Sequence, residues 1–318
     1  MILKDFFRLA IENGMDADPR GRAAVEQELQ DVKKASEDLK PADKALFDAE
    51  KFTNPYADSR ILNGDPKGEI AKVLVGIDIE TPELLLADRL NEKGAGIGLV
   101  LGHHPEGRAY AGFYDVMKMQ ADILNRFGVP INVAEGQLSS RMKEVERSVM
   151  PVNHSRPVDA ARLLGIAYCC VHTPADNMVS RHLQSLFDRE SPRKLKDIMI
   201  LLKEVPEYQA AAGINAGPRI LVGSDDQRAG RVFVDMTGGT SGSKDSLERL
   251  SQSGVGTIIG MHMSEDHRKE AEKHHLRVVI AGHISSDNLG LNLLLDAIGK
   301  HGAFDVLECS GFRRVKRS

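Results

Sequence analysis

Gly96-Ile97-Gly98-Leu99-Val100-Leu101-Gly102-His103-His104-Pro105-Glu106-Gly107 is the stretch that decides how this chain folds. An apolar, β-type run ends in glycine, and two adjacent histidines stand where a buried strand would emerge into solvent. Histidine is the commonest protein metal ligand and a frequent general base. The test is whether other apolar runs end the same way, and three do. The run 166–171 (IAYCCV) leads into His172, with Asp176 four residues on. The run 256–260 leads to Met261-His262, and 277–281 to Gly282-His283, with Asp287 four residues on.

Around these runs the chain alternates. Residues 71–77 (AKVLVGI) read as a buried strand, followed by Asp78. Thr81-Pro82-Glu83 is a helix start, with an N-cap hydroxyl, proline at the first helical position and an acid in the first turn. A helix over 113–127 precedes a short strand at 129–134, and helices follow at 138–149 and 157–164. Residues 177–204 read as two helices split at Ser191-Pro192. The pair 219–222 and 231–234 reads as a β-hairpin about a polar turn. Helices at 245–253, 265–275 and 288–299 and a last strand at 304–309 complete the pattern. Strands and helices in alternation imply α/β layers with largely parallel strands. Residues 2–13 have helical spacing, and 19–50 read as a solvated helix or helical hairpin, an arm for subunit contacts. The domains expected are a helical segment at 1–54, α/β lobes at 55–210 and 239–318, and a connector with the hairpin at 211–238.

The totals fit that class. A chain of 318 residues suggests two domains of about 150 residues or one large α/β unit. With 42% hydrophobic and 28% charged residues, a sizeable core is expected. The formal charge of −4 and the absence of a dense basic block beyond Arg313-Arg314-Val315-Lys316-Arg317 give no sign of nucleic-acid binding. Cys169, Cys170 and Cys309 make neither a disulfide framework nor a CxxC pair, as expected of reduced thiols in a cytoplasmic protein. Met1-Ile-Leu-Lys-Asp-Phe-Phe does not read as a signal peptide, and no run approaches the ~18 apolar residues of a membrane span.

In open parallel sheets, functional groups gather where strands end, because the loops there converge on one edge. The two His-x3-Asp spacings put each pair one helical turn apart on the same side of a starting helix. Imidazoles and carboxylates without thiols suit Zn²⁺, Fe²⁺ or Mn²⁺. Adjacent histidines cannot easily share one ion, so His103, His104, Asp176, His283 and Asp287 suit two metals better than one. Two ions roughly 3.5–4 Å apart would activate a bridging hydroxide and polarise an electrophilic oxygen, which is hydrolase chemistry. Each residue also has a plainer reading. The paired histidines could simply hydrogen-bond at an element end, and Asp176 and Asp287 could cap the helices beside them. Cys169 and Cys170 read as strand core. His154, His182, His267, His274, His275 and His301 read as surface residues. The loop Gly238–Ser243 could cradle an anion or be a flexible turn.

Gly102-His103-His104-Pro105, His172-Thr173-x-x-Asp176 and Ala281-Gly282-His283-x-x-x-Asp287, in that order, resemble the NIF-three-like family, often labelled GTP cyclohydrolase I type 2. Tyr56-Ala-Asp58 through Asp65 and Gly238–Gly242 resemble its opening motif and its glycine-rich turn. The resemblance implies two related α/β lobes, a dinuclear metal centre in the cleft between them and a homohexamer. It makes His103, His104, Asp176, His283 and Asp287 the ligands, with His172 beside them as an orienting group or a proton carrier. The departures are Asp287 where the family has Glu, Pro174 where it has Asn, and Gly260-Met261-His262 where it has Thr-Gly-Asp/Glu. His262 could there add a ligand or a base. The expectation is a metal-dependent hydrolase of a small phosphorylated or nucleotide-like compound, with His172 or His262 moving protons. The alternative is a metal-binding adaptor acting through protein partners.

Overall fold

In the computed structural model, which describes residues 1–317, the alternating pattern resolves into two mixed sheets. The strands are β1 (Arg60–Asn63), β2 (Lys72–Gly76), β3 (Leu99–Gly102), β4 (Tyr168–Cys170), β5 (Arg219–Val222), β6 (Arg231–Asp235), β7 (Val255–Gly260), β8 (Arg277–Ile280) and β9 (Asp305–Glu308). The first sheet has the order β1-β4-β3-β2-β9 and the second β5-β8-β7-β6. In each, the first strand runs antiparallel to its neighbour and the rest are parallel. The second sheet therefore repeats the first, strand for strand, and β9 extends the first at its edge.

Helices α1 (Leu3–Ala17), α2 (Arg22–Glu37) and α3 (Pro41–Leu46) precede the first sheet, and α4 (Thr81–Glu92) links β2 to β3. Four α-helices lie between β3 and β4, α5 (Gly107–Ala111), α6 (Met119–Arg126), α7 (Ile131–Val149) and α8 (Arg156–Leu164), with a 3-10 helix at Phe113–Lys118. Then come α9 (Thr173–Glu190), α10 (Leu195–Lys203), α11 (Pro206–Ala212), α12 (Ser246–Gln252), α13 (Glu265–Lys273) and α14 (His283–Gly299).

Strand alternation decides which helices cover which face. Val73, Val75, Leu99, Leu101 and Cys169 pack with α1 and the Leu291–Leu295 face of α14, whereas Leu74, Val100 and Tyr168 pack with α4 and α8. In the second sheet, Val232, Val234, Ile259 and Val279 pack with α9, α10 and α11, while Phe233, Ile258 and Val278 face α6, α7, α12 and α13. Because α9 and α14 each contribute to both cores, they form a shared middle layer between the sheets. Two glycines let this layer close. A Cβ on Gly290 of α14 would lie 2.4 Å from the Ala175 carbonyl oxygen, and one on Gly14 of α1 would lie 2.7 Å from the Pro174 Cα. The first turn of α9 is thus gripped from two sides.

Two sequence expectations are corrected. Residues 129–134 form no strand, because Pro130 opens α7, which buries Ala134, Leu138, Val145 and Val149 at helical spacing. Strands β5 and β6 form no hairpin, because they lie at opposite edges of their sheet. The turn between them is held elsewhere: Leu195 and Lys196 donate backbone bonds to the carbonyls of Gln227 and Asp225, and Ala229 donates to Arg193.

Candidate metal centre

The strand exits converge as the parallel order requires. His103 and His104 leave β3, their N–H groups donating to the Ile77 carbonyl just past β2. His172 caps α9 after β4, and His283 begins α14 after β8. Asp176 and Asp287 each sit about one turn inside their helix. Neither is therefore the N-cap residue, and their carboxylates turn toward the histidines instead.

Asp287 is the centre of the set. One of its oxygens lies 3.5 Å from His103 Nε2, and the other lies 3.6 Å from His104 Nε2 and 3.7 Å from His283 Nε2. Asp176 approaches His103 Nε2 to 3.4 Å and His172 Nε2 to 3.8 Å. All of these exceed hydrogen-bond lengths. His103 Nε2, Asp176 Oδ1 and both Asp287 oxygens are buried without a hydrogen-bond partner. Burying carboxylates unsatisfied costs several kcal/mol per ion unless a cation compensates. Two triads, His103/Asp176/Asp287 and His104/His283/Asp287, each bring ligand atoms within 4.8 Å of one another, as does His103/His104/His172.

The far nitrogens support the same reading. His103 Nδ1 lies 3.2 Å from the Val171 carbonyl, His104 Nδ1 lies 2.6 Å from Asp78 Oδ1, and His172 Nδ1 lies 2.9 Å from Asp58 Oδ2. This network places a proton on each Nδ1 and turns each Nε2 to the cluster, which is how metal-ligating histidines are usually oriented. Asp58 is fully buried and also accepts from Thr173 Oγ1 and Ser59 Oγ. Burial alone would raise its pKa, but His172 and these hydroxyls hold it below the ordinary value. Burial likewise works to lower the His103 pKa, yet Asp287 and Asp176 outweigh it and push it up to about 10. Asp287 is held far below the carboxylate range, against its burial, by His103, His104 and His283. The site therefore attracts positive charge, and the donor set fits a divalent ion.

All five expected ligands meet here, and His172 stands beside them. His262 sits at the rim, its ring 5.1 Å from that of His283. Three carboxylates went unread. Asp78 and Asp58 orient His104 and His172, and Asp235 at the end of β6 lines a cavity with Asp176, His262, His283 and Asp287. Asp78 and Asp235 obey the same strand-exit pattern as the histidines. A larger hollow of about 470 Å³ lies between α1, α6, α9 and β6 and contains none of the cluster residues.

Fold and site define a two-lobed α/β protein with a buried histidine–carboxylate centre that could hold metal. No protein-family model and no curated protein matches the sequence. Among solved structures, a NIF3 superfamily protein from Sphaerobacter thermophilus is similar with a TM-score of 0.69 and 25% identity, over 80% of this chain and 91% of that one. Reduced HcgD from Methanocaldococcus jannaschii matches with a TM-score of 0.48 and 14% identity, over 88% of this chain and 97% of that one. A Bacillus cereus protein related to NIF3 matches with a TM-score of 0.39 and 10% identity, over 79% and 89%. On the Sphaerobacter likeness, the fold is that of the NIF3-like proteins.

Proposed function

We propose that this protein is a dinuclear metal-dependent hydrolase of a small phosphorylated or nucleotide-like compound. The observation that carries the reading is the set of buried, unpartnered ligand atoms on His103, Asp176 and Asp287. His103, Asp176 and one oxygen of Asp287 would hold one ion, and His104, His283 and the other oxygen the second. Zn²⁺, Fe²⁺ or Mn²⁺ suits such nitrogen and oxygen donors. Two divalent ions supply an activated water and a Lewis acid for the scissile group.

The chain's own residues supply orientation and proton movement. His172, fixed through Nδ1 by Asp58, keeps Nε2 on the cluster side, where it can take and return a proton. His262, at the solvent-facing rim beside His283, can pass that proton outward. Asp78 holds the His104 ring in one orientation. Subunits arranged as a homohexamer are part of the same reading.

Elemental analysis of the purified or reconstituted protein tests it, with about two transition-metal ions per chain expected. His103→Ala should lose metal and, over a panel of phosphoesters, nucleotides and amides, lose turnover with it. A metal content near zero after reconstitution would remove the reading. Full metal content with no turnover anywhere would favour the adaptor instead.

A further inference from the structure

One wall of the cavity beside the cluster is a loop whose carbonyls are tied back to neighbouring side chains. Gly238-Gly239-Thr240-Ser241-Gly242-Ser243 follows β6, with Gly238 and Gly239 in the left-handed region at φ +94° and +86°. Four of its carbonyls, those of Gly238, Thr240, Ser241 and Gly242, meet side chains of the surrounding protein. The buried Gln120 side chain donates to those of Gly238 (2.6 Å) and Thr240 (2.7 Å), and Arg141 Nε donates to that of Ser241 (3.1 Å). His267 Nε2 lies 3.0 Å from the Gly242 carbonyl, which can only accept. On the packed side there is no room for side chains: a Cβ on Gly238 or Gly242 would lie 2.7 or 2.6 Å from Gln120, and one on Gly239 would lie 2.9 Å from Val116.

The backbone N–H groups of residues 238–243 are left over. Among the described residues, none of them donates to a protein acceptor. Gly239, Thr240 and Ser241 line a cavity of about 70 Å³ whose other walls include His172, Asp176, His283 and Asp287. Successive N–H groups with their carbonyls tied back make a concavity that attracts oxyanions. The volume is far below the roughly 300–1,000 Å³ of a drug-sized pocket, so it suits one small group.

We propose that this loop binds the phosphoryl group of the substrate beside the metal centre. The assignment deepens the hydrolase reading and rests on it for the word substrate. Asp235 lines the same cavity and sets the strength of the cradle by opposing a bound anion.

The test is hydrogen–deuterium exchange on the full-length protein, titrated with inorganic phosphate and separately with phenyl phosphate, alongside its metal content. Both probes should slow exchange in peptides spanning 238–243. Ser241→Pro deletes one N–H and should weaken phosphate protection at least tenfold with metal content unchanged. Asp235→Asn, which leaves the loop intact, should strengthen it severalfold. No protection of the loop by either probe would overturn the proposal, as would a folded Ser241→Pro protein that binds like the wild type. Protection by inorganic phosphate alone would overturn the assignment to a substrate. The two readings fail separately: a protected loop in a protein that takes up no metal sinks the hydrolase, whereas full metal content with an unprotected loop sinks the cradle.

Discussion

At the cluster, the histidines differ in what their second nitrogen touches. His103 leans on a backbone carbonyl, but His104 and His172 lean on carboxylates, which make a stronger donor of the opposite nitrogen. Asp78→Asn should therefore lower affinity for one ion about 10–100-fold without unfolding the chain. Chelator competition measures this, and an unchanged affinity would show that Asp78 does not orient a ligand. The charges also set a pH dependence. In metal-free protein, the raised His103 pKa stabilises the fold fully below about 6.5, and this contribution is lost as pH rises toward about 10. Asp287, held low, contributes above about 4 and loses its effect only in acid. The melting temperature of chelated protein should thus fall between pH 7 and 9.5, while metal-loaded protein, whose ligand is the neutral imidazole, should fall less. Parallel declines would contradict it. The histidines were legible because each ends an apolar run. Asp78 was not read as their partner, because nothing in a linear sequence joins it to a residue 26 positions on.

Helices were read more easily than strand partners. Helix α9 was legible from residue 177 on and α14 from 288 on, although they begin four and five residues earlier, at Thr173 and His283. The short run at 129–134 misled because a few apolar residues fit either period, and the false hairpin arose because strand sequences do not state their neighbours. What sequence could not show is how closely α9 and α14 approach. Gly290→Ala should destabilise the protein by about 1–3 kcal/mol, since the added methyl meets the Ala175 backbone. Gly136→Ala is the contrast: this position in α7 has nothing within 4 Å of the added methyl, and a gain of about 0.5–1 kcal/mol is expected. Thermal or urea unfolding of both variants decides it, and equal effects would mean that the crossing is not tight.

Over the whole molecule, the lobes are related in a way the sequence conceals. The segment between β3 and β4 covers residues 103–167 and carries four α-helices and a 3-10 helix, whereas that between β7 and β8 covers 261–276 and carries α13 alone. Equivalent strands therefore fall at no constant spacing, and no repeat is visible. Since β3 and β4 supply one side of the cluster and β8 with α14 the other, bound ions would tie the lobes together. Ions that bind only the folded state add their binding free energy to its stability. Calorimetry should show one transition with metal and a lower or split one after chelation; identical traces would mean the cluster binds no metal in solution.

The grip on the first turn of α9 has a further consequence. Gly14 and Gly290 lie far apart in the sequence, yet both press on the turn that presents Asp176. A nascent chain still lacking α14 cannot assemble this centre, because His283 and Asp287 have yet to be made and the turn is held from one side only. Metal capture should therefore wait until α14 has been made, and a retained ion would report that α9 and α14 have come together.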